Sequence, residues 1–258
     1  MNETKKMERI EKAKAHTEEM ERRYSERIAE CIQNSVIYGP ERDIVIPKSE
    51  SIDRHTSLVD ADTVSALLSL QKRGYGKIAV LNFASWKWPG GGFSTGAMAQ
   101  EEALCHASFL FNVLNGFPEY YEWNREHKGR NMYHNKAIYS PNVVFEQGSL
   151  KGKADVITCA APNVKTARNY QEITDEENLA IFTDRAKFVA KICLDQHVDT
   201  VILGAWGCGV FGQDPTMVAS ILNDVFSHSD IAHVKFAVPR ALDEKNYLAF
   251  ERELRING

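Results

Sequence analysis

No apolar run in this chain approaches the ~20 residues a helix needs to cross a bilayer. Its first residues, rich in Glu, Lys and Arg, hold no signal-peptide core, so neither a membrane span nor secretion is expected. It also lacks any CxxC pair. The five cysteines (Cys31, Cys105, Cys159, Cys193, Cys208) are odd in number and far apart. That speaks against a disulfide framework and for reduced, mostly buried thiols in a cytoplasmic or otherwise intracellular compartment. Positive charge is not in excess: Lys+Arg 31 against Asp+Glu 35 leave a net charge of −4. Nonspecific nucleic-acid binding needs a basic footprint, and direct sequence-specific binding is not expected either. A nucleotide-like ligand held by backbone amides stays compatible with this charge. Repeats and low-complexity tracts are missing too, which leaves 258 residues, 43% hydrophobic and 26% charged, enough for one sizeable core.

Within that core-forming chain, residues 3–34 place Met7, Ile10, Thr17, Met20, Tyr24, Ile28 and Cys31 at three-to-four spacing. The spacing predicts a long helix docked by one narrow apolar stripe, with a coiled-coil or partner-binding arm as the alternative. Residues 1–35 read as an accessory segment and 36–258 as the domain proper. Trimming the first 20 residues is expected to leave the chemistry unchanged. Gly39-Pro40 marks a turn, 43–46 a short strand ended by Pro47. Helical patterns occupy 58–72 and 100–114, with a buried strand over 77–84 between them. An irregular or short-helical excursion is expected over 116–136. Strands over 136–144 and 155–161, a helix over 175–196 and a strand over 200–205 come next. Asp214 then reads as an N-cap with Pro215 at the first helical position, opening a helix to about Ser227. A strand over 234–238 and a helix over 244–254 close the chain. Such alternation predicts an α/β class chain, a three-layer α/β/α sandwich with helices on both faces of a parallel or mixed central sheet.

The chemistry concentrates in two glycine loops. Gly90-Gly91-Gly92 cannot be there to strengthen a helix or strand, since glycine weakens both. It suits close backbone approach, and its N–H groups can cradle an anion. Seven residues later come Gln100-Glu101-Glu102, opening a helix. The second loop, Gly207-Cys208-Gly209-Val210-Phe211-Gly212, again comes after a strand and before a helix. In open α/β sheets, ligands collect beyond the carboxyl ends of the strands, so the two loops are expected to face one crevice. Each helix start adds oriented N–H groups suited to a diphosphate.

Acidic residues in a first helical turn are also ordinary structural features. Adjacent helical residues point about 100° apart, so the glutamates are not expected to straddle a bond as paired glycosidase carboxylates do. One would be the acid–base and the other would bind or orient a ligand hydroxyl. A general acid at neutral pH needs a raised pKa, whereas a helix start favours the ionised form. His106 shares a face with Glu102 and reads as an ordinary contact, because further metal ligands are not recognisable. Cys208 reads as a small residue in a tight loop sooner than as a nucleophile. Trp86, Trp88 and Phe211 flank the loops, where they would stack on a base or ribose or serve as core or lid. The second loop also fits G-x-G-x-x-G. Pro239-Arg240 nevertheless stand where a dinucleotide fold needs a ribose-binding acid, so an oxidoreductase is the weaker reading.

The glycine triad, seven residues and Gln-Glu-Glu together resemble the signature of the poly(ADP-ribose) glycohydrolases. Leu81-Asn82-Phe83-Ala84, Tyr139-Ser140-Pro141 with Val143, and the 204–212 loop resemble the microbial (bacterial-type) branch. The likeness covers roughly residues 20–255. It implies a macrodomain fold over 36–258 that binds ADP-ribose in the crevice, and hydrolysis of ribose–ribose bonds from chain ends. Glu102 would be the catalytic acid–base, Glu101 would hold the scissile ribose and Gln100 would support the loop. Asn82 would contact the distal ribose. Gly90, Gly91 and Gly92 would pack on the distal ribose and diphosphate, wrapped from the other side by Gly207, Cys208, Gly209, Val210 and Phe211. No metal or cofactor is implied. The expected partner is poly(ADP-ribose) or another ADP-ribosylated macromolecule, met by a monomer. Alternatives are a noncatalytic ADP-ribose reader, or a glycohydrolase acting on mono-ADP-ribosylated protein or nucleobase. Trp206 and Gln213-Asp214 depart from the pattern and are expected to bear on access to the second loop.

Overall fold

The computed structural model describes residues 3–40, 54–71, 74–170 and 173–256. In chain order the elements are α1 (Glu3–Asn34), β1 (Val36–Tyr38), β2 (His55–Val59), α2 (Thr63–Leu70), β3 (Ile78–Phe83), α3 (Gln100–His106), α4 (Leu110–Leu114), α5 (Pro118–Glu126), β4 (Ala137–Gln147), β5 (Leu150–Cys159), α6 (Val164–Tyr170), α7 (Asp175–Asp195), β6 (Thr200–Leu203), α8 (Pro215–Ser227), β7 (His233–Ala237) and α9 (Glu244–Ile256). The strand expected over 43–46 lies outside the described residues. Among these elements the strands form one mixed sheet in the order β1-β4-β5-β3-β6-β7-β2. The first two pairings are antiparallel and the other four parallel. No helix among the described residues is long and apolar enough to cross a membrane.

Side chains alternate across a strand with period two, so β3, in the middle of the sheet, feeds both layers. Ile78 and Val80 enter one core with α1 to α5, while Ala79 and Leu81 enter the other with α7 to α9. A strand covered on both faces is near-continuously apolar, which is why residues 78–81 of β3 read so plainly in the sequence. α8 begins as expected, with Asp214 accepting from the N–H groups of Thr216 and Met217 at 3.0 Å.

Three expectations need correction. Leu58 and Val59 are not helical: they end β2, an edge strand parallel to β7, and Asp62 caps the next helix. The helix expected over 100–114 is broken into α3 and α4. There Ser108 forms a bridge to Phe145 of β4 and its hydroxyl accepts from the N–H of Leu110 at 3.1 Å. α6 is not among the elements that the sequence pattern predicts. The Tyr139-Ser140-Pro141 landmark lies inside β4, where the register to β5 shifts between Ser140 and Val143. Asp155 holds that irregularity by accepting from the Tyr139 hydroxyl and, at 2.7 Å, from the N–H of Asn142.

Candidate active site

The parallel strands all point their carboxyl ends the same way, and a cleft of about 1190 Å³ opens beyond them. Phe83 at the end of β3, Ala161 after β5, Ala205 after β6 and Ala237 at the end of β7 line its floor. Both glycine loops border it, as their position after strands predicts.

Gln100 fastens the start of α3 to the end of β3. Its carbonyl oxygen accepts from the N–H of Phe83 at 2.9 Å, and its amide donates to the carbonyl of Leu81 at 2.9 Å. The two glutamates then sit buried, 4% and 6% exposed. Glu102 turns back over the glycine loop, accepting from the N–H of Gly92 at 2.7 Å and of Ala99 at 2.8 Å. Glu101 accepts from the N–H of Ser85 at 2.6 Å and from the Asn82 amide at 3.2 Å.

The triad's function is visible at Gly91, whose φ is +59°. A methyl group there would meet Glu102 Oε1 at 2.7 Å and Glu101 Oε2 at 2.8 Å. One missing side chain thus lets the backbone close over both carboxylates. It also means that the two carboxylates converge on a single point, although their residues point apart along the helix. Gly92 is likewise crowded, by Ala97 at 2.5 Å, while Gly90 faces inward against Phe111 at 2.7 Å and Cys105 at 3.1 Å.

Burial is the dominant influence on Glu101, pushing its carboxyl up to about 8. The bonds from Ser85 and Asn82 oppose that rise and the neighbouring Glu102 adds to it. Burial also pushes the Cys208 thiol up to about 12, so at neutral pH it is no thiolate nucleophile.

On the opposite side, Gly207 (φ +79°) and Gly212 (φ +73°) turn the second loop. Among the described residues, the N–H groups of Gly209, Val210 and Phe211 make no hydrogen bond within the protein. They form an open set of donors of the kind that binds anions. The loop is anchored from behind by Gln213, which exchanges amide bonds with Asn178 at 2.9 and 3.0 Å and donates to the carbonyl of Pro162 at 2.9 Å.

Several placements differ from expectation. Asn82 is fully buried beneath Glu101, to which its amide donates, and it does not line the cleft. Its Oδ1 has no hydrogen-bond partner. Gly90 and Cys208 also lie off the cleft surface. Trp206 is buried in the core, where its indole donates to the carbonyl of Cys159 at 3.2 Å, and it also borders the cleft from within. Gln213 is buried as well, and Asp214 is a helix cap. His106 packs on Phe93, ring centres 4.6 Å apart. Sequence reasoning misses Ser85, though a serine just past a strand can accept from backbone N–H groups two and three residues on. Its hydroxyl accepts from Lys87 and Trp88 N–H at 3.2 Å each. It misses Arg185 too, which is buried and donates to Asn135 at 2.6 Å and to the carbonyl of Met132 at 3.3 Å. Among the described residues no group of three or more His, Cys, Asp or Glu is placed to hold a metal ion.

A family model, microbial-type PARG, catalytic domain, matches residues 4–147, more than half of the chain. The chain belongs to that family. PARG stands for poly(ADP-ribose) glycohydrolase, and the chain is accordingly a glycohydrolase with a PARG catalytic fold. The X-ray structure of PARG from Thermomonospora curvata superimposes with TM-score 0.85 and 28% identity, over 96% of this chain and 99% of that one. A structure of the Thermomonospora curvata PARG bound to the inhibitor ADP-HPD gives 0.81 and 29%, over 95% and 99%. PARG from Deinococcus radiodurans in complex with ADP-ribose gives 0.81 and 30%, over 89% and 97%. No curated protein matches the chain by sequence. In this PARG the glycine turn is joined to the start of α3 by the bond from the N–H of Gly92 to Glu102, and α3 is fastened to β3 through Gln100.

Proposed function

We propose that this PARG hydrolyses the ribose–ribose O-glycosidic bond of poly(ADP-ribose) at chain ends, releasing ADP-ribose, with Glu102 as general acid and base. In this reading Glu102 protonates the departing glycosidic oxygen and then takes a proton from the attacking water. Glu101, which burial keeps protonated around neutral pH, holds the scissile ribose through its hydroxyls. The open N–H groups of Gly209, Val210 and Phe211 receive the diphosphate, with Gly91 and Gly92 against the ribose opposite.

The observation that carries the proposal is the convergence of both carboxylates on Gly91, in a cleft bordered by both glycine loops. A site that only bound ADP-ribose would have no use for a second buried carboxylate, because burying ionisable groups costs stability. Attack at chain ends is supported by a row of rings joining the two loops: Trp86 stacks on Tyr133 at 5.0 Å, and Tyr133 meets the edge of Phe211 at 6.2 Å. A continuing polymer would be obstructed there.

General acid–base catalysis typically contributes about 10²–10⁴ in rate. Replacing Glu102 by Gln should lower release of ADP-ribose from polymer by at least ~100-fold while calorimetry finds ADP-ribose affinity little changed. Wild-type protein that binds ADP-ribose yet releases none from polymer would instead establish a noncatalytic reader.

A further inference from the structure

In the proposed reading the cleft takes one ADP-ribose unit, but a polymer presents a second. The oxygen that leaves when the terminal unit is released is the 2′-hydroxyl of the next unit's adenosine. An adenine is therefore attached to the very ribose that departs, and in this reading it lies at the edge of the cleft beside the two glutamates, where Lys87 and Trp88 are part of the lining.

That part of the rim is built from Ser85 to Trp88. The N–H of Ser85 donates to Glu101 at 2.6 Å, its hydroxyl accepts from the N–H of Trp88 at 3.2 Å, and the carbonyl of Trp88 accepts from the N–H of Gly91 at 3.1 Å. The turn that carries Trp88 is thus tied at both ends to the residues around the carboxylates. Of the four tryptophans only Trp88 is exposed, at 53%. Two cations accompany it: Lys87 Nζ lies 5.1 Å and Arg125 Cζ 5.4 Å from its ring centre. Arg125 is held in place by donating to the carbonyl of Lys87 at 3.1 Å. Among the described residues neither cation joins a salt bridge. On a chain of net charge −4, an exposed indole beside two cations that join no salt bridge resembles the pattern of single-stranded nucleotide recognition, in which bases stack on aromatic rings and cations meet phosphates.

We propose that Trp88, Lys87 and Arg125 form a leaving-side subsite, the indole stacking on the adenine of the next ADP-ribose unit and the two cations meeting its diphosphate. The proposal rests on the glycohydrolase reading and assigns that site a preference for polymer over other ADP-ribosyl compounds.

Two substrates separate the contributions: short poly(ADP-ribose), and ADP-ribose joined through its distal ribose to a small phenol, which has no second adenosine. Trp88→Ala is expected to raise KM for polymer about tenfold. kcat/KM for the phenol compound and ADP-ribose affinity by calorimetry should stay unchanged, and Trp88→Phe should restore most of the loss. Arg125→Gln and Lys87→Gln are expected to flatten the salt dependence of KM for polymer, since each removes a phosphate contact. Equal losses on both substrates, or no loss on polymer, would overturn the subsite while leaving the glycohydrolase reading intact. Wild-type protein that cleaved neither substrate would overturn both.

Discussion

Glu101 and Glu102 are neighbours in the chain, yet their surroundings differ. Glu102 is enclosed by two N–H groups of its own helix start and glycine turn, Glu101 by the N–H of Ser85 and the Asn82 amide at the end of β3. Burial lifts the Glu101 carboxyl from an ordinary 4.5 to about 8, and this has a consequence for stability. Below the unfolded value both states carry the proton and nothing is lost. As pH rises toward 8 the unfolded chain releases it while the folded one keeps it, so stability declines through that window and levels off above it. Glu101→Gln removes the liability. Its excess stability over wild type should be absent near pH 4.5 and grow to as much as ~5 kcal/mol by pH 8, at the expense of turnover. Denaturant midpoints across that range would show it, and a difference independent of pH would refute the account. Neither the burial of Glu101 nor the role of Asn82 beneath it is legible in the sequence. Both depend on how deeply α3 is pressed onto β3, and the letters around them do not record that depth.

The glycine turn and α3 act as a unit whose geometry depends on one absent side chain. Gly91→Ala would combine a left-handed backbone, costing about 1–2 kcal/mol for an L-residue, with a methyl group against both carboxylates. Turnover should fall at least ~10-fold because misplacing reacting groups by an ångström is costly. Gly148→Ala supplies the control: its φ is also +59° but nothing lies within 4 Å. It should lose comparable backbone stability and no activity. Parallel thermal melts and polymer assays of the two variants would separate strain from site damage; equal activity losses would argue against the role given to Gly91. This loop is plain in the sequence because three consecutive glycines have few other uses. The break between α3 and α4 is not, because it is imposed by Phe145 and Glu146 of β4: Ser108 bridges Phe145, and the N–H of Glu146 donates to the carbonyl of Ala107 at 2.7 Å. β2 escapes notice for a related reason. His55–Val59 is a short edge strand with weak alternation, and its partner β7 lies far along the chain.

The molecule as a whole ties the first helix to the site. Ala13, Met20, Tyr24, Ile28 and Cys31 of α1 are buried in the same core as Phe93 and Leu104. His16 lies 6.3 Å from Phe93 and hydrogen-bonds the carbonyl of Ser108 at 2.9 Å, and Arg9 donates to the carbonyl of Gly96 at 3.5 Å. α1 therefore backs the turn just beyond Gly92. Removing residues 1–20 would uncover Phe93 and release Gly96. We expect such a truncation to lower both thermal stability and turnover, contrary to what the apolar stripe alone suggests. A truncated protein with full turnover would show instead that α1 is dispensable for the chemistry. The stripe announces that α1 will dock, but not where, since period and hydrophobicity carry no address.

Local order in the chain is enough for the α/β alternation, the capped start of α8, the two glycine loops and the Gln-Glu-Glu run. Each of these arises from residues close together whose backbone preferences or side-chain period act independently of the rest. The convergence of Glu101 and Glu102 on Gly91, the inward turn of Asn82 and Trp206, and the pairing of Trp88 with Arg125 could be settled only by packing. They join segments that meet because the sheet aligns β3, β5, β6 and β7 beneath one cleft, and distances across such a cleft are set by the cores on either face of that sheet.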